Sequence, residues 1–282
     1  MRQPPDETSR IDALRSYAVL DTAPSEPFDN LTALAAQLCQ APIALVSLVD
    51  EHRQWFLSRF GLEPRETPRS HAFCAHAITQ PDLFEVADAA LDPRFKDNPL
   101  VTGAPNIRFY AGLPLVNAEG FALGTLCIID RKPRTLSGEQ RGALRALRDF
   151  AMAHLELRRK TLQLIAAERR AREIIDNSLG LVCAHGLDGT LRQVNPAAAA
   201  ALDRAPEDMV GHPLTEFMHP DDAQRIPGYL ARLADIGRDE GFLPVLRRDG
   251  MRRIWRYKSV ISHVAGEEPL VVGHALDVTD DR

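Results

Sequence analysis

A chain of 282 residues that is 45% hydrophobic and 26% charged has the composition of a soluble globular protein with room for two domains. Its formal charge of -5 argues against a dedicated nucleic-acid binder, which carries a basic face, so nucleic acid is not an expected partner. The four cysteines, Cys39, Cys74, Cys127 and Cys183, form no C-x-x-C pair, and the polar N-terminus has no signal-peptide core. Free thiols in the reducing cytoplasm are expected rather than a disulfide framework. The uncharged run 31–49 is long enough to raise the question of a membrane span. It contains Gln37, Gln40 and Ser47, and Pro42 splits it into a core helix and a core strand, so no membrane is expected as a partner.

In chain order, Ser9 and Asp12 open a short amphipathic helix through Leu14 and Tyr17. Asp29 is expected to cap a second helix, 31–40, with Leu31, Leu34, Ala35 and Leu38 on its apolar face. Residues 43–49 read as a buried strand and 54–58 as its hairpin partner. A helix-like segment at 71–78 leads to a short strand at 83–86, then to a loop rich in Asp, Pro and Asn at 88–106. Apolar strands at 109–116 and 123–129 close the sheet around the turn 117–120. Helices flanking an antiparallel sheet predict an α+β domain.

A proline-free stretch rich in Ala, Leu, Arg and Glu then runs from 137 to 176. Ser137 and Gln140 make a capping box, and a single helix of this length is about 60 Å long. Two apolar rows follow it. Leu144, Leu147, Ala151 and Leu155 lie on one side and stop. Ala143, Ala146, Phe150, Ala153, Leu157, Lys160, Leu164, Ala167, Ala171 and Ile174 alternate steps of three and four, the heptad rule, with Lys160 the only charge. The first row is expected to pack on the helix's own domain. The second, from Phe150, Ala153, Leu157 and Leu164 to Ala167, Ala171 and Ile174, is the expected seam of a homodimer. The alternative is a helix folded back across one subunit with both rows in its core.

Beyond residue 177 the pattern changes. Strands at 181–184 and 191–194 flank the turn Asp188-Gly189, Asn195 caps a helix opened by Pro196, and 206–209 makes a further helical turn. His219-Pro220-Asp221-Asp222 opens a longer helix, and strands at 242–247, 253–262 and 270–277 end the chain. Asp249-Gly250 joins the first two of these.

Leu20-Asp21-Thr22, Phe28-Asp29, Val46-Ser47-Leu48-Val49-Asp50, Trp55-Phe56, Phe73-Cys74, Asp92-Pro93-Arg94-Phe95, Asn98-Pro99, 109–115 and 123–130 together resemble a GAF domain of bacterial sensor kinases and cyclic-di-GMP enzymes. Ile175-Asp176-Asn177-Ser178, Gly189, Val194-Asn195-Pro196-Ala197, Gly211, His219-Pro220-Asp221-Asp222, Arg248-Asp249-Gly250 and Asp277-Val278-Thr279 resemble a PAS domain. The expected organisation is an α+β chain of two antiparallel-sheet domains, GAF at 1–155 and PAS at 177–282, with a signalling helix at 137–176.

The first resemblance implies a pocket on one face of the sheet, roofed by the loop between Asp88 and Arg108. Trp55, Phe73, Phe95, Phe109 and Tyr110 are its expected apolar walls, with Cys74 beside them and Arg94, Asn98 and Arg108 as polar contacts. In the alternative the aromatics are core and Arg94 fastens the loop to Asp88 or Asp92. The residue set of cyclic-nucleotide-binding GAF domains is not found, and Ala75 separates Cys74 from His76 where bilin-binding relatives place the two side by side. Free-methionine sulfoxide reductases are also GAF proteins, and Cys74 lies in a comparable region. The loop before Leu113-Pro114-Leu115 carries no resolving cysteine. His71, Cys74 and His76 have metal-ligand spacing without a fourth ligand, so no metal site is expected.

In the PAS-like part, Trp255 and Tyr257 alternate onto one strand face and are the pocket candidates. Cys183 sits on the first strand rather than in the helical motif of photoactive flavin domains, and 222–235 has no histidine for haem. Haem, flavin and bilin are therefore not expected. The chain has no phosphate-binding glycine loop and no Gly-Gly-(Asp/Glu)-(Glu)-Phe stretch, and His154 is followed by Leu155 rather than an acidic residue. No catalytic residue is expected. These features predict a cytoplasmic sensory module of bacterial signal transduction. It binds a small ligand or partner and signals through a dimeric helix to a kinase or cyclase module outside the chain. The alternatives are a thiol reductase using Cys74 and a ligand-free interaction adaptor.

Overall fold

The computed structural model describes residues 6–281, which form two compact units dividing between Leu164 and Ile165. In the first, helices α1 (Glu7–Ser16) and α2 (Glu26–Cys39) precede strands β1 (Ile43–Val49), β2 (Arg53–Phe60) and β3 (Glu66–Pro68). A 3-10 turn, Arg69–His71, and helix α3 (Phe73–Ala77) lead to β4 (Phe84–Val86), α4 (Pro99–Thr102), β5 (Phe109–Val116) and β6 (Ala122–Asp130). The strands pair antiparallel in the order β3-β2-β1-β6-β5-β4.

This sheet is covered on both faces. Because strand side chains alternate, neighbours in sequence enter different cores. Trp55, Phe109 and Leu126 pack with Leu14, Phe28, Leu31 and Ala35 on one face. Phe56, Tyr110 and Cys127 pack with Phe73, Phe95 and Ile107 on the other.

The helix starts differ from expectation. Helix α1 begins at Glu7, so Ser9 lies inside it, and α2 begins at Glu26 with Pro27 in its first turn and Ser25 at its N-cap. Asp29, inside α2, accepts from Ser58 Oγ at 2.7 Å instead of capping. The buried row of α2 runs through Phe28, Leu31, Thr32, Ala35, Ala36 and Cys39, which leaves Leu34 and Leu38 43% and 45% exposed. The expected helix at 71–78 is a 3-10 turn followed by one short helix, α3.

Helix α5 (Gly138–Asp176) is continuous over 39 residues. Its capping box is formed: Ser137 N donates to Gln140 Oε1 and Gln140 N to Ser137 Oγ, both at 3.1 Å. Leu144, Ala151 and Leu155 are fully buried against the first unit's core, with Leu147 packed beside them. On the opposite side Phe150, Leu157, Leu164 and Ile174 are 50%, 63%, 71% and 73% exposed. From Thr161 to Asp176 the helix is exposed all round in the single chain.

The second unit continues with β7 (Leu181–Gly186), β8 (Leu191–Val194), α6 (Pro196–Ala201), α7 (Pro220–Ala223) and α8 (Ile226–Ile236). Strands β9 (Arg238–Leu246), β10 (Arg252–Ser262) and β11 (Leu270–Asp277) complete an antiparallel sheet ordered β8-β7-β11-β10-β9. The helix expected from His219 onward is two helices, because Pro227 restarts the turn at α8 and cannot donate into a helix continued from α7. Strand β9 begins before residue 242 because Gly237 ends α8 in a left-handed conformation, φ 79°, and the chain pairs at once with β10. No helix among the described residues is long and apolar enough to cross a membrane.

Candidate ligand site

In the first unit a cavity of about 190 Å³ lies on the sheet face that carries Phe56 and Tyr110. Leu45, Phe56, Phe73, Ile107, Tyr110 and Ile129 line it, and Ala104 and Pro105 of the loop before β5 close one side. No Asp, Glu, Lys, Arg or His lines it. Gln54 and Thr67 supply its polar edge. They face each other across β2 and β3, and Gln54 Oε1 and Thr67 Oγ1 are both buried without a hydrogen-bond partner. Such atoms are rare in folded proteins, and two side by side in a cavity form a ready acceptor pair.

Cys74 also lines this cavity, where three neighbours converge on its sulfur. Thr125 Oγ1 donates to it at 3.0 Å, Tyr110 OH donates at 3.3 Å, and Cys127 Sγ lies 3.9 Å away. Burial raises the Cys74 thiol, but the hydrogen bonds from Cys127, Thr125 and Tyr110 outweigh burial and draw it below its ordinary value. Cys127 moves the other way, pushed well up by its contact with Cys74 and by burial.

The structure brings only part of the expected pocket together. Phe73, Cys74 and Tyr110 reach the cavity. Trp55 and Phe109 do not, because strand alternation turns them to the opposite core with α2 and α5. Phe95 stacks on Phe73 at 4.1 Å behind the cavity lining. The polar candidates fasten the loop. Arg94 pairs with Asp92 at 2.6 Å and lies over Phe84, and Arg108 grips Asp88 with two bonds of 2.7 and 2.6 Å. Those arginines hold the Asp92 and Asp88 carboxyls below their ordinary range. Asn98 caps α4 through Leu100 N and donates to the His71 carbonyl at 3.1 Å. His76 is exposed and meets the Phe95 ring, so it does not converge with Cys74.

Gln54 and Thr67 were not among the expected contacts. The available signal was a polar side chain sharing a strand face with Phe56. Cys127 carried no comparable signal, since 53 residues separate it from Cys74.

The second unit holds a smaller cavity of about 60 Å³, and both Trp255 and Tyr257 line it. Trp255 Nε1 is buried without a partner, while Tyr257 donates to Asp239 at 2.7 Å. A polar chain crosses one side: His185 Nδ1 donates to the Gly186 carbonyl at 2.8 Å, and the Tyr229 hydroxyl bridges His185 Nε2 at 2.8 Å and Ser259 Oγ at 2.9 Å. Burial lowers the His185 pKa and keeps the ring neutral. The seam residues Ala153, Ala167 and Ala171 are exposed along α5 with Phe150, Leu157, Leu164 and Ile174.

Two antiparallel sheets, each bordering a small apolar cavity, fit the architecture of sensory domains, and comparison with known proteins assigns each one. Residues 24–155 match the model of the GAF domain and 175–282 that of the PAS fold. The chain therefore joins a GAF domain to a PAS domain, the sensory domains of signalling proteins. Over 161 residues it is 48% identical to the cyclic di-GMP phosphodiesterase PA2567 of Pseudomonas aeruginosa, covering 56% of this chain and 27% of that protein. The chain thus spans about a quarter of that relative's length. Among solved structures, the PAS domain of an HTR-like protein from Haloarcula marismortui is 22% identical and covers 42% of this chain and 98% of that one, with a TM-score of 0.39. A PAS domain from Colwellia psychrerythraea is 18% identical and covers 41% and 98%, with a TM-score of 0.37.

Proposed function

We propose that this chain is the sensory region of a cytoplasmic bacterial signalling protein in which the GAF cavity binds a small uncharged molecule. The observation that carries this reading is the pair Gln54 Oε1 and Thr67 Oγ1, buried without partners at the edge of a cavity that no Asp, Glu, Lys, Arg or His lines. A buried polar atom left unpaired costs about 1–3 kcal/mol, so a ligand that donates an N–H or O–H there recovers it. Phosphate-bearing nucleotides fit this lining poorly, because a buried anion requires a charged partner. The expected ligand is a compact, mostly apolar molecule with one or two donors.

The exposed α5 row, opposite the row that packs on the GAF core, supports pairing with the same row of a second copy, and we take the two helices to run parallel. A ligand shifts that pair only through a difference in affinity between its two arrangements. Similarity to a cyclic di-GMP phosphodiesterase supports cyclic di-GMP turnover, rather than a histidine kinase, as the output addressed. Native mass spectrometry of the purified chain tests the reading: a retained small mass that is lost in Gln54→Leu supports it, and a chain that never retains one refutes the ligand claim and leaves the adaptor.

The thiol-reductase reading is favoured by one observation, the placement of Cys127 beside Cys74. Turnover of free methionine sulfoxide that disappears in Cys74→Ser would establish it, and equal background in both proteins eliminates it.

A further inference from the structure

The chain buries one nucleophilic pair that ligand binding does not require. Cys74 on α3 and Cys127 in the middle of β6 are 1% and 0% exposed, with their sulfurs 3.9 Å apart. The surroundings are built for this contact. Cys127 sits opposite Gly112 on β5, and a Cβ at Gly112 would fall 2.2 Å from the Tyr110 hydroxyl. The glycine thus leaves the space through which Tyr110 OH reaches Cys74 Sγ. Thr125, two residues before Cys127 and on the same strand face, donates to the same sulfur. A neutral thiol is a weak acceptor, so hydroxyl donors aimed at one sulfur within an apolar core favour its thiolate. The cavity that Cys74 lines gives a small solute a place beside it.

We propose that Cys74 and Cys127 are a peroxide-responsive dithiol that closes to an intramolecular disulfide inside the GAF domain. The Cys74 thiolate attacks one oxygen of hydrogen peroxide and the O–O bond breaks. The departing hydroxide takes a proton to become water and leaves Cys74 as a sulfenic acid. The Cys127 sulfur then attacks the Cys74 sulfur, the S–O bond breaks, and the second hydroxide leaves as water with the Cys127 proton. In sum, two thiols and one peroxide give one disulfide and two waters. Closing the sulfurs from 3.9 Å to a bond of about 2.05 Å draws α3 toward β6 and reshapes the cavity wall at Cys74.

The other cysteines serve as internal controls. Burial raises the thiol of Cys39, and burial pushes that of Cys183 up to about 11. Neither receives a comparable set of donors among the described residues.

The test uses the full chain, reduced, freed of reductant, exposed to hydrogen peroxide and then alkylated in denaturant for peptide mapping. The expected result is loss of two of the four alkylatable thiols. Both losses fall at Cys74 and Cys127, in one cross-linked peptide pair that dithiothreitol restores. In Cys127→Ser, Cys74 is expected to stop at the sulfenic acid and be captured by dimedone. Wild-type mapping keeps the test decisive if that variant fails to fold. The proposal is overturned if all four thiols survive, if Cys183 or Cys39 oxidises while the pair stays reduced, or if the disulfide joins any other cysteines.

Discussion

The side-chain amide of Asn195 donates to the backbone carbonyl of Ile175 at 3.1 Å, joining the last turn of α5 to the start of the PAS fold. The same side chain donates to the Gly180 carbonyl at 2.9 Å and accepts from Val182 N and Ala198 N, both at 3.0 Å. One N-cap residue thus fixes the helix end, the first strand and α6 together. Replacing it by Ala strands several backbone groups, and a stability loss of about 2–3 kcal/mol is expected. The two tryptophans fall one in each unit, so Trp255 fluorescence in a Trp55→Phe background during urea unfolding reads this loss.

The two faces of α5 are expected to respond oppositely to truncation. Leu155 is fully buried, and Leu155→Ala should cost the GAF domain about 2–5 kcal/mol on the Trp55 signal. Leu157, only two residues on, is 63% exposed, and Leu157→Ala should change that domain's unfolding by less than about 0.5 kcal/mol. Its effect should appear as weaker self-association in sedimentation velocity.

Gln54→Leu and Thr67→Val are expected to remove bound molecule while stabilising the ligand-free GAF domain by about 1–3 kcal/mol each, since each replaces an unpaired buried polar atom with an apolar one. Thermal unfolding of the stripped proteins checks the sign. Destabilisation by both would mean that these atoms have partners in solution.

His185 sets a pH dependence in the PAS domain. Burial depresses its folded pKa below the ordinary 6.5, so the unfolded chain binds the proton first as pH falls. Stability from this group is intact above pH 6.5 and declines as pH drops through the interval between the unfolded and folded values. Urea midpoints on the Trp255 signal should follow that decline, and His185→Gln should flatten it.

The fold was largely legible because the signals were local: the Ser137–Gln140 capping box, the Asn195-Pro196 cap and the apolar strand runs all formed where the spacing placed them. Helix extents were less so: Pro27 opens α2 ahead of Asp29, and His219 caps α7 as its spacing indicates while Pro227 starts α8 as a separate helix. The cavity was legible only in part. In a sheet covered on both sides, as the fully buried β1 attests, amphipathicity cannot say which face Trp55 or Phe56 takes. The arginines of the expected pocket carried the right chemistry for a ligand but found carboxylates within their own loop. The contact between Cys74 and Cys127 depends on tertiary packing alone.

Cross-linking along α5 tests the transmission dimer most directly. Single cysteines are introduced at Leu157, Leu164 and Ala171 on the seam and at Arg158, Arg169 and Arg172 off it, then oxidised and resolved on denaturing gels. A parallel seam predicts disulfide-linked dimers at the first three positions and none at the others. Equal cross-linking at all six, or none with a chain that sediments as a monomer, would contradict the account.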